Sequence, residues 1–146
     1  MPASGTKLAD ANVWLALAFS DHQHHVKARE WFEKQEDDAV AFCRITQLAL
    51  LRHLTNSKIM GEFVQTQQLA WATFDKFSAD PRVLFLPEPP MLDKTFRLFS
   101  DSASPSHERW TDAYLATFAL LTQSQIITFD SGFQRFRGLK LTVLHS

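Results

Sequence analysis

The stretch KLADANVWLALAF (7–19) has three residues of strand character, closes them with an acid at Asp10 and runs straight into an apolar helical pattern. Residues 7–9 read as a short buried strand, Asn12 as the N-cap of the next helix, and 13–19 as that helix. An acid at the end of a buried strand is unfavourable unless water, a cation or a hydrogen-bond network receives it. In open α/β sheets the carboxyl ends of the strands converge on one crevice where ligands bind.

The rest of the chain repeats this grammar. SDHQHH (20–25) opens a second helix reaching about Gln35, with Val26, Ala28, Trp31 and Phe32 at core spacing. AVAFC (39–43) is a continuous apolar run, the pattern of a strand covered on both faces. Residues 45–54 have helical periodicity through Ile45, Leu48, Leu51 and Leu54. A longer helix is expected over 62–77, with Phe63, Leu69, Ala70, Phe74 and Phe77 apolar, broken by Asp80-Pro81. Then follow a strand at 83–86, the stiff connector PEPP, a helix at 91–99 and the loop-like SDSASPSHER (100–109). An alanine-rich helix at 111–121, a strand at 125–129 ending on Asp130, and a final strand at 139–144 complete the alternation. Strands alternating with helices imply one α/β layer sandwich with a mostly parallel sheet of four to five strands.

Composition narrows the class. A length of 146 residues fits one domain, taken as 1–146, and 45% hydrophobic residues suffice for a real core. No apolar run reaches the roughly 20 residues needed to cross a bilayer, and the start MPASGTK lacks a signal peptide's apolar stretch, so the cytoplasm is the expected compartment. The single cysteine, Cys43, reads as a small buried hydrophobe. A net charge of −1 means that a nucleic-acid substrate would have to be held by a local patch or a cation rather than by a general field.

Asp10, Asp112 and Asp130 are the acids placed at element ends, with Asp101 nearby but less well placed. Taken singly, Asp112 reads equally well as a helix cap, and Asp130, before Ser131-Gly132, as a turn former. If the three meet, their repulsion calls for a divalent cation such as Mg²⁺, and so for phosphodiester chemistry. The six histidines match no zinc signature. Arg44, Arg52, Lys58 and Arg109 are candidate RNA contacts, with Arg135, Arg137 and Lys140 a second basic group. Among them Arg52 is singled out, because an arginine facing an apolar helix seam needs an acid or a phosphate.

KLADANVWLAL, CRITQLALLRHLTN, WTDAYLATFAL and IITFDSGFQRF followed by GLKLTVL together resemble the PIN-domain ribonucleases, above all the VapC-type toxins of bacterial toxin–antitoxin pairs. The similarity runs in order along nearly the whole chain. It implies an endoribonuclease dependent on Mg²⁺ or Mn²⁺ that cuts structured RNA, forms a homodimer and is neutralised by a cognate antitoxin. By motif position, Asp10 and Asp112 would be the direct metal ligands. Asp130 would orient water at the ion or complete a second site, and Asn12 and Thr128 would line the pocket. One departure is plain: the glutamate usual on the helix after the second strand is missing from ITQLALLRHL, where the aligned position falls at or next to Ala49, three residues before Arg52. Glu108, four residues before Asp112, is a potential substitute, though more simply an exposed loop acid. A second reading follows from that loss: a catalytically weak PIN-like module that binds RNA or protein.

Overall fold

In a computed structural model of the chain, residues 5–145 are described; the first four residues of MPASGTK and Ser146 lie outside them. Five short strands, β1 (Lys7–Ala9), β2 (Val40–Phe42), β3 (Val83–Phe85), β4 (Gln125–Thr128) and β5 (Leu141–Val143), make one sheet in the order β3-β2-β1-β4-β5. Every pairing is parallel, with Leu8 opposite both Ala41 and Ile126. The connecting helices are α1 (Ala11–Ala18), α2 (His25–Glu33), α3 (Arg44–Leu54), the single turn α4 (Ser57–Met60), α5 (Gln67–Ser78), α6 (Asp93–Ser100) and α7 (Arg109–Thr122).

Successive strand residues point to opposite faces of a sheet, and here both faces are buried. Ala9, Val40, Phe42 and Ile127 join a core with α1, α2, α3 and α5, while Leu8, Ala41, Cys43 and Ile126 join another with α6 and α7. This explains the uninterrupted apolar runs of the central strands. The first core is built around Trp14, whose ring stacks on Phe42 at 3.8 Å between centroids and meets Phe32 and Phe77 edge-on.

Several expectations are corrected. Asn12 is not the cap of α1: Asp10 is, with extended φ −67° and ψ 158° and its carboxylate accepting from the Ala11 amide. Helix α2 starts only at His25, and Val26 is 69% exposed because the apolar stripe of so short a helix is filled by Ala28 and Phe32. On α3 the buried face is Thr46, Gln47, Leu50 and Leu54, leaving Leu48 exposed. The long helix expected over 62–77 is split: α4 runs into a 3₁₀ turn at Gly61–Phe63, and α5 begins at Gln67 with Thr66 capping the Leu69 amide. Gly61, at φ +58° and ψ −130°, takes a positive-φ conformation open to glycine where α4 ends, and Phe63 and Leu69 are exposed instead of in the core.

Candidate active site

The strand order reverses direction between β1 and β4, since the chain winds outward from β1 on one side and continues from β4 on the other. Such a switch point leaves a crevice at the carboxyl ends of the two strands. Asp10 ends β1 and Asp130 lies two residues past β4. Helix α7 delivers the third acid. It turns into β4 through Gln123, left-handed at φ +57°, so it runs antiparallel to that strand. Ten residues of helix from Asp112 to Thr122 rise about 15 Å, and five of strand from Gln125 to Asp130 about 17 Å. The matched lengths set the first turn of α7 beside the end of β4, where an acid also suits the helix N-terminus.

The three carboxylates feel one another: Asp112 and Asp130 both raise the pKa of Asp10, and Asp130 raises that of Asp112. Desolvation is the larger cause, pushing Asp10 up to about 6 against the opposing hydrogen bonds from Thr128 and Ala11. Asp112 is also raised, chiefly by burial, while the Arg135 guanidinium pulls it back. Asp101, in contrast, lies exposed in the loop after α6.

Thr128 is the hub. Fully buried, its hydroxyl donates to Asp10 Oδ2 at 2.8 Å and accepts from the Asp130 amide at 3.0 Å and from Asn12 Nδ2 at 3.2 Å. Asn12 Oδ1 in turn accepts from the Phe129 amide at 3.2 Å. One network therefore fixes two of the acids and both small polar residues expected to line the pocket. Thr128→Val leaves the Asp130 amide without its acceptor and Asp10 without a donor, so it is expected to cost about 2–3 kcal/mol, whereas Thr128→Ser costs about 1. Chemical denaturation of both variants checks this, and equal losses would contradict the network.

Asp130 is a turn former as well: its Oδ1 accepts from the Gly132 amide and caps the 3₁₀ helix Ser131–Arg135. That turn brings in a residue the sequence named only within a basic group. Arg135 Nη2 donates to Asp112 Oδ2 at 2.9 Å, and Nη1 to the Gly132 carbonyl at 2.5 Å. Side chains at i and i+3 eclipse in a 3₁₀ helix, so a glycine two residues after the acid and three before an arginine is the signal that points to this arrangement.

Other expectations fare differently. Arg52 makes no contact with the acids; it lies exposed just over two turns along α3, bordering a shallow groove of about 140 Å³ with Leu48, Leu51 and Trp71. Arg44 is bonded to Gln47 and lies over Phe85, and Arg109 donates to the Phe99 carbonyl. Glu108 is exposed, yet its charge still raises the pKa of Asp112. Among the described residues no three His, Cys, Asp or Glu side chains close into a metal-holding group, histidines included. The donor set nevertheless suits a hard cation that keeps several waters and takes one or two carboxylates. Asp10 and Asp112, both lifted above their ordinary range and the second already bridged by a guanidinium, make a site short of positive charge.

Comparison with known proteins agrees with this geometry. A PIN-domain family model matches residues 7–139. The chain is 39% identical over 142 residues to Ribonuclease VapC41 of Mycobacterium tuberculosis, covering 94% of this chain and 97% of the relative. Among solved structures, VapBC2 from Rickettsia felis bound to a promoter DNA fragment superposes with a TM-score of 0.67 at 13% identity, over 96% of this chain and 99% of that one. The M. tuberculosis toxin VapC20, described as cleaving the sarcin-ricin loop, superposes with a TM-score of 0.65 at 13% identity, over 88% and 93%. With three acids gathered at the switch point of a 3-2-1-4-5 parallel sheet and a family match over nearly its whole length, the chain belongs to the PIN-domain family, among the VapC-type ribonucleases.

Proposed function

We propose that this chain, as one PIN domain over its 146 residues, is a metal-dependent endoribonuclease toxin that hydrolyses phosphodiester bonds of structured RNA, such as tRNA or rRNA, in the cytoplasm. The observation that carries the reading is the electrostatic coupling of Asp10, Asp112 and Asp130 at the sheet's switch point, in a chain closely related to a named ribonuclease. Asp10 and Asp112 would hold Mg²⁺ or Mn²⁺, which when bound activates water and offsets charge building on the phosphate. The chain's own part is positioning. Thr128 and the Ala11 amide keep the Asp10 carboxylate aimed into the crevice, and the Gly132 amide orients Asp130. Thr128, through the Asp130 amide, locks the spacing of those two acids.

A cognate antitoxin would hold the enzyme inactive, as complexes of related toxins with their partners suggest. Exposed Leu48, Leu69 and Trp71, around the α3–α5 groove, are suitable apolar surface for a protein partner, whether the antitoxin or a second copy in a homodimer. Phe32 and Phe74 are buried in the core and add nothing to that surface. No helix among the described residues is long and apolar enough to cross a membrane.

The alternative, a catalytically weak module that binds RNA or protein, is favoured by one feature: α3 carries no acid, with Ala49 at the position in question. Incubation of end-labelled tRNA and rRNA hairpins with the purified protein separates the two. Cleavage in 5 mM Mg²⁺ or Mn²⁺, falling at least about a hundredfold in EDTA, is the expected result. Binding without cleavage in either ion would leave only the weaker reading.

A further inference from the structure

The position of Arg135 has a consequence for how the site loads. Its guanidinium is held from three sides: by Asp112 at 2.9 Å, by the Gly132 carbonyl at 2.5 Å, and by the Phe136 ring, whose centroid lies 4.6 Å from Cζ. The Arg135 and Asp112 side chains are only 35% and 25% exposed, so the pair is half-buried rather than a solvated surface contact. Room for it is built in. A Cβ on Gly132 would come within 2.8 Å of Arg135 Nη1 and 3.1 Å of Asp130 Oδ1, so the absence of a side chain there lets the guanidinium fold back over the turn toward Asp112. A cation thus touches one of the two carboxylates assigned above to the metal, and it is carried by the same turn that orients Asp130.

We propose that Arg135 is an internal counter-ion that takes the cation's place at Asp112, so that a divalent ion binds only by displacing it. This rests on the reading of Asp10 and Asp112 as ligands. The guanidinium on Oδ2 takes up the negative charge that would hold the ion, and two cationic groups repel one another across a single half-buried carboxylate, so uptake of the ion favours release of the arginine. Apparent affinity for the ion is then reduced by the fraction of molecules in which Asp112 is free: a pair closed nine-tenths of the time weakens binding about tenfold. The arginine steadies clustered acids in the free protein and sets a threshold of ion concentration below which the site stays closed.

Titration of the purified protein with Mn²⁺, followed by the EPR signal of the free ion, tests this without reference to cleavage. Arg135→Gln is expected to bind Mn²⁺ about three- to tenfold more tightly than the unaltered protein, and Arg137→Gln, which removes an exposed charge two residues on, to change affinity less than twofold. In parallel, ¹⁵N NMR of the Arg135 guanidinium should show slowed rotation that is released at saturating Mg²⁺. Unchanged or weaker Mn²⁺ binding by Arg135→Gln, equal tightening by Arg137→Gln, or a guanidinium signal indifferent to Mg²⁺ would each overturn the proposal while leaving the metal assignment standing. Absence of Mn²⁺ binding by the unaltered protein would sink both.

Discussion

Replacement of Asp10 by Asn is expected to lower RNA cleavage by about a thousandfold or more and, at neutral pH without divalent ions, to raise the melting temperature. The two effects have one cause. Asp10 is desolvated at the end of β1 beside two other acids, and its pKa is pushed up to about 6 from an ordinary 3.8. For a carboxylate raised in the folded state, the fold binds the proton that the unfolded chain releases. Stability therefore falls as pH rises through the window from about 4 to 6, and the penalty is complete above it. Two units correspond to about 3 kcal/mol at most. Asparagine removes that penalty but cannot accept both of the bonds that Asp10 takes, from Ala11 and from the Thr128 hydroxyl, which returns about 1 kcal/mol. A net gain of about 1–2 kcal/mol, or roughly 3–6 °C, is expected at pH 7.5 and none at pH 3.5. Cleavage falls because stabilisation of phosphate charge worth several kcal/mol depends on the ionised ligand. Adding Mg²⁺ should narrow the gap in melting temperature by stabilising only the unaltered protein. Thermal melts across pH, with and without Mg²⁺, and a gel assay of RNA cleavage check both halves. An Asn variant that melts lower at pH 7.5, or that cleaves within tenfold of the unaltered protein, would contradict the account.

This coupling of activity to instability bears on what a sequence displays. The acids at strand ends were legible because an unpaired charge after an apolar run is an anomaly in one dimension: KLAD and IITFD declare themselves. The parallel sheet was legible for the same reason, since AVAFC has apolar residues on both faces. Capping was not, because Asp10 and Asn12 are both good caps, and only the cross-sheet demand of Phe129 and Thr128 on Asn12 decides between them. Core membership was misread at Leu48 on α3, Phe63 in the 3₁₀ turn and Leu69 on α5, since apolar periodicity cannot distinguish a face turned to the sheet from one left open. Nor does Ala49 betray whether a missing acid is compensated. The pairing of Arg135 with Asp112 crosses 23 residues and depends on a 3₁₀ turn, a tighter winding than the α-helical spacing by which the chain is otherwise read.

The second large effect concerns the scaffold behind Asp10. Trp14 is fully buried, stacks on Phe42, touches Phe32 and Phe77 edge-on, and donates its indole Nε1–H to the Ala9 carbonyl at 3.1 Å. Trp14→Ala removes the largest ring in that core and orphans a buried carbonyl immediately before Asp10, for an expected loss of about 4–6 kcal/mol. Against a total stability of about 5–15 kcal/mol for a domain of this kind, such a variant should unfold below about 40 °C or fail to accumulate. Trp14→Phe keeps an aromatic face against Phe42 and loses mainly the hydrogen bond and part of the volume, at about 1.5–3 kcal/mol. Cleavage per folded molecule should nevertheless stay within about fivefold of the unaltered protein. The Asp10 amide still donates to the Ile127 carbonyl at 2.9 Å, and its carboxylate still accepts from Ala11 and Thr128, so three anchors hold the acid without the indole. Urea unfolding midpoints and single-turnover cleavage of Trp14→Phe separate the roles. A variant of near-native stability that has lost cleavage would mean that the Ala9 carbonyl, and with it the indole, aims Asp10, and that the polar network around Thr128 is not sufficient to do so.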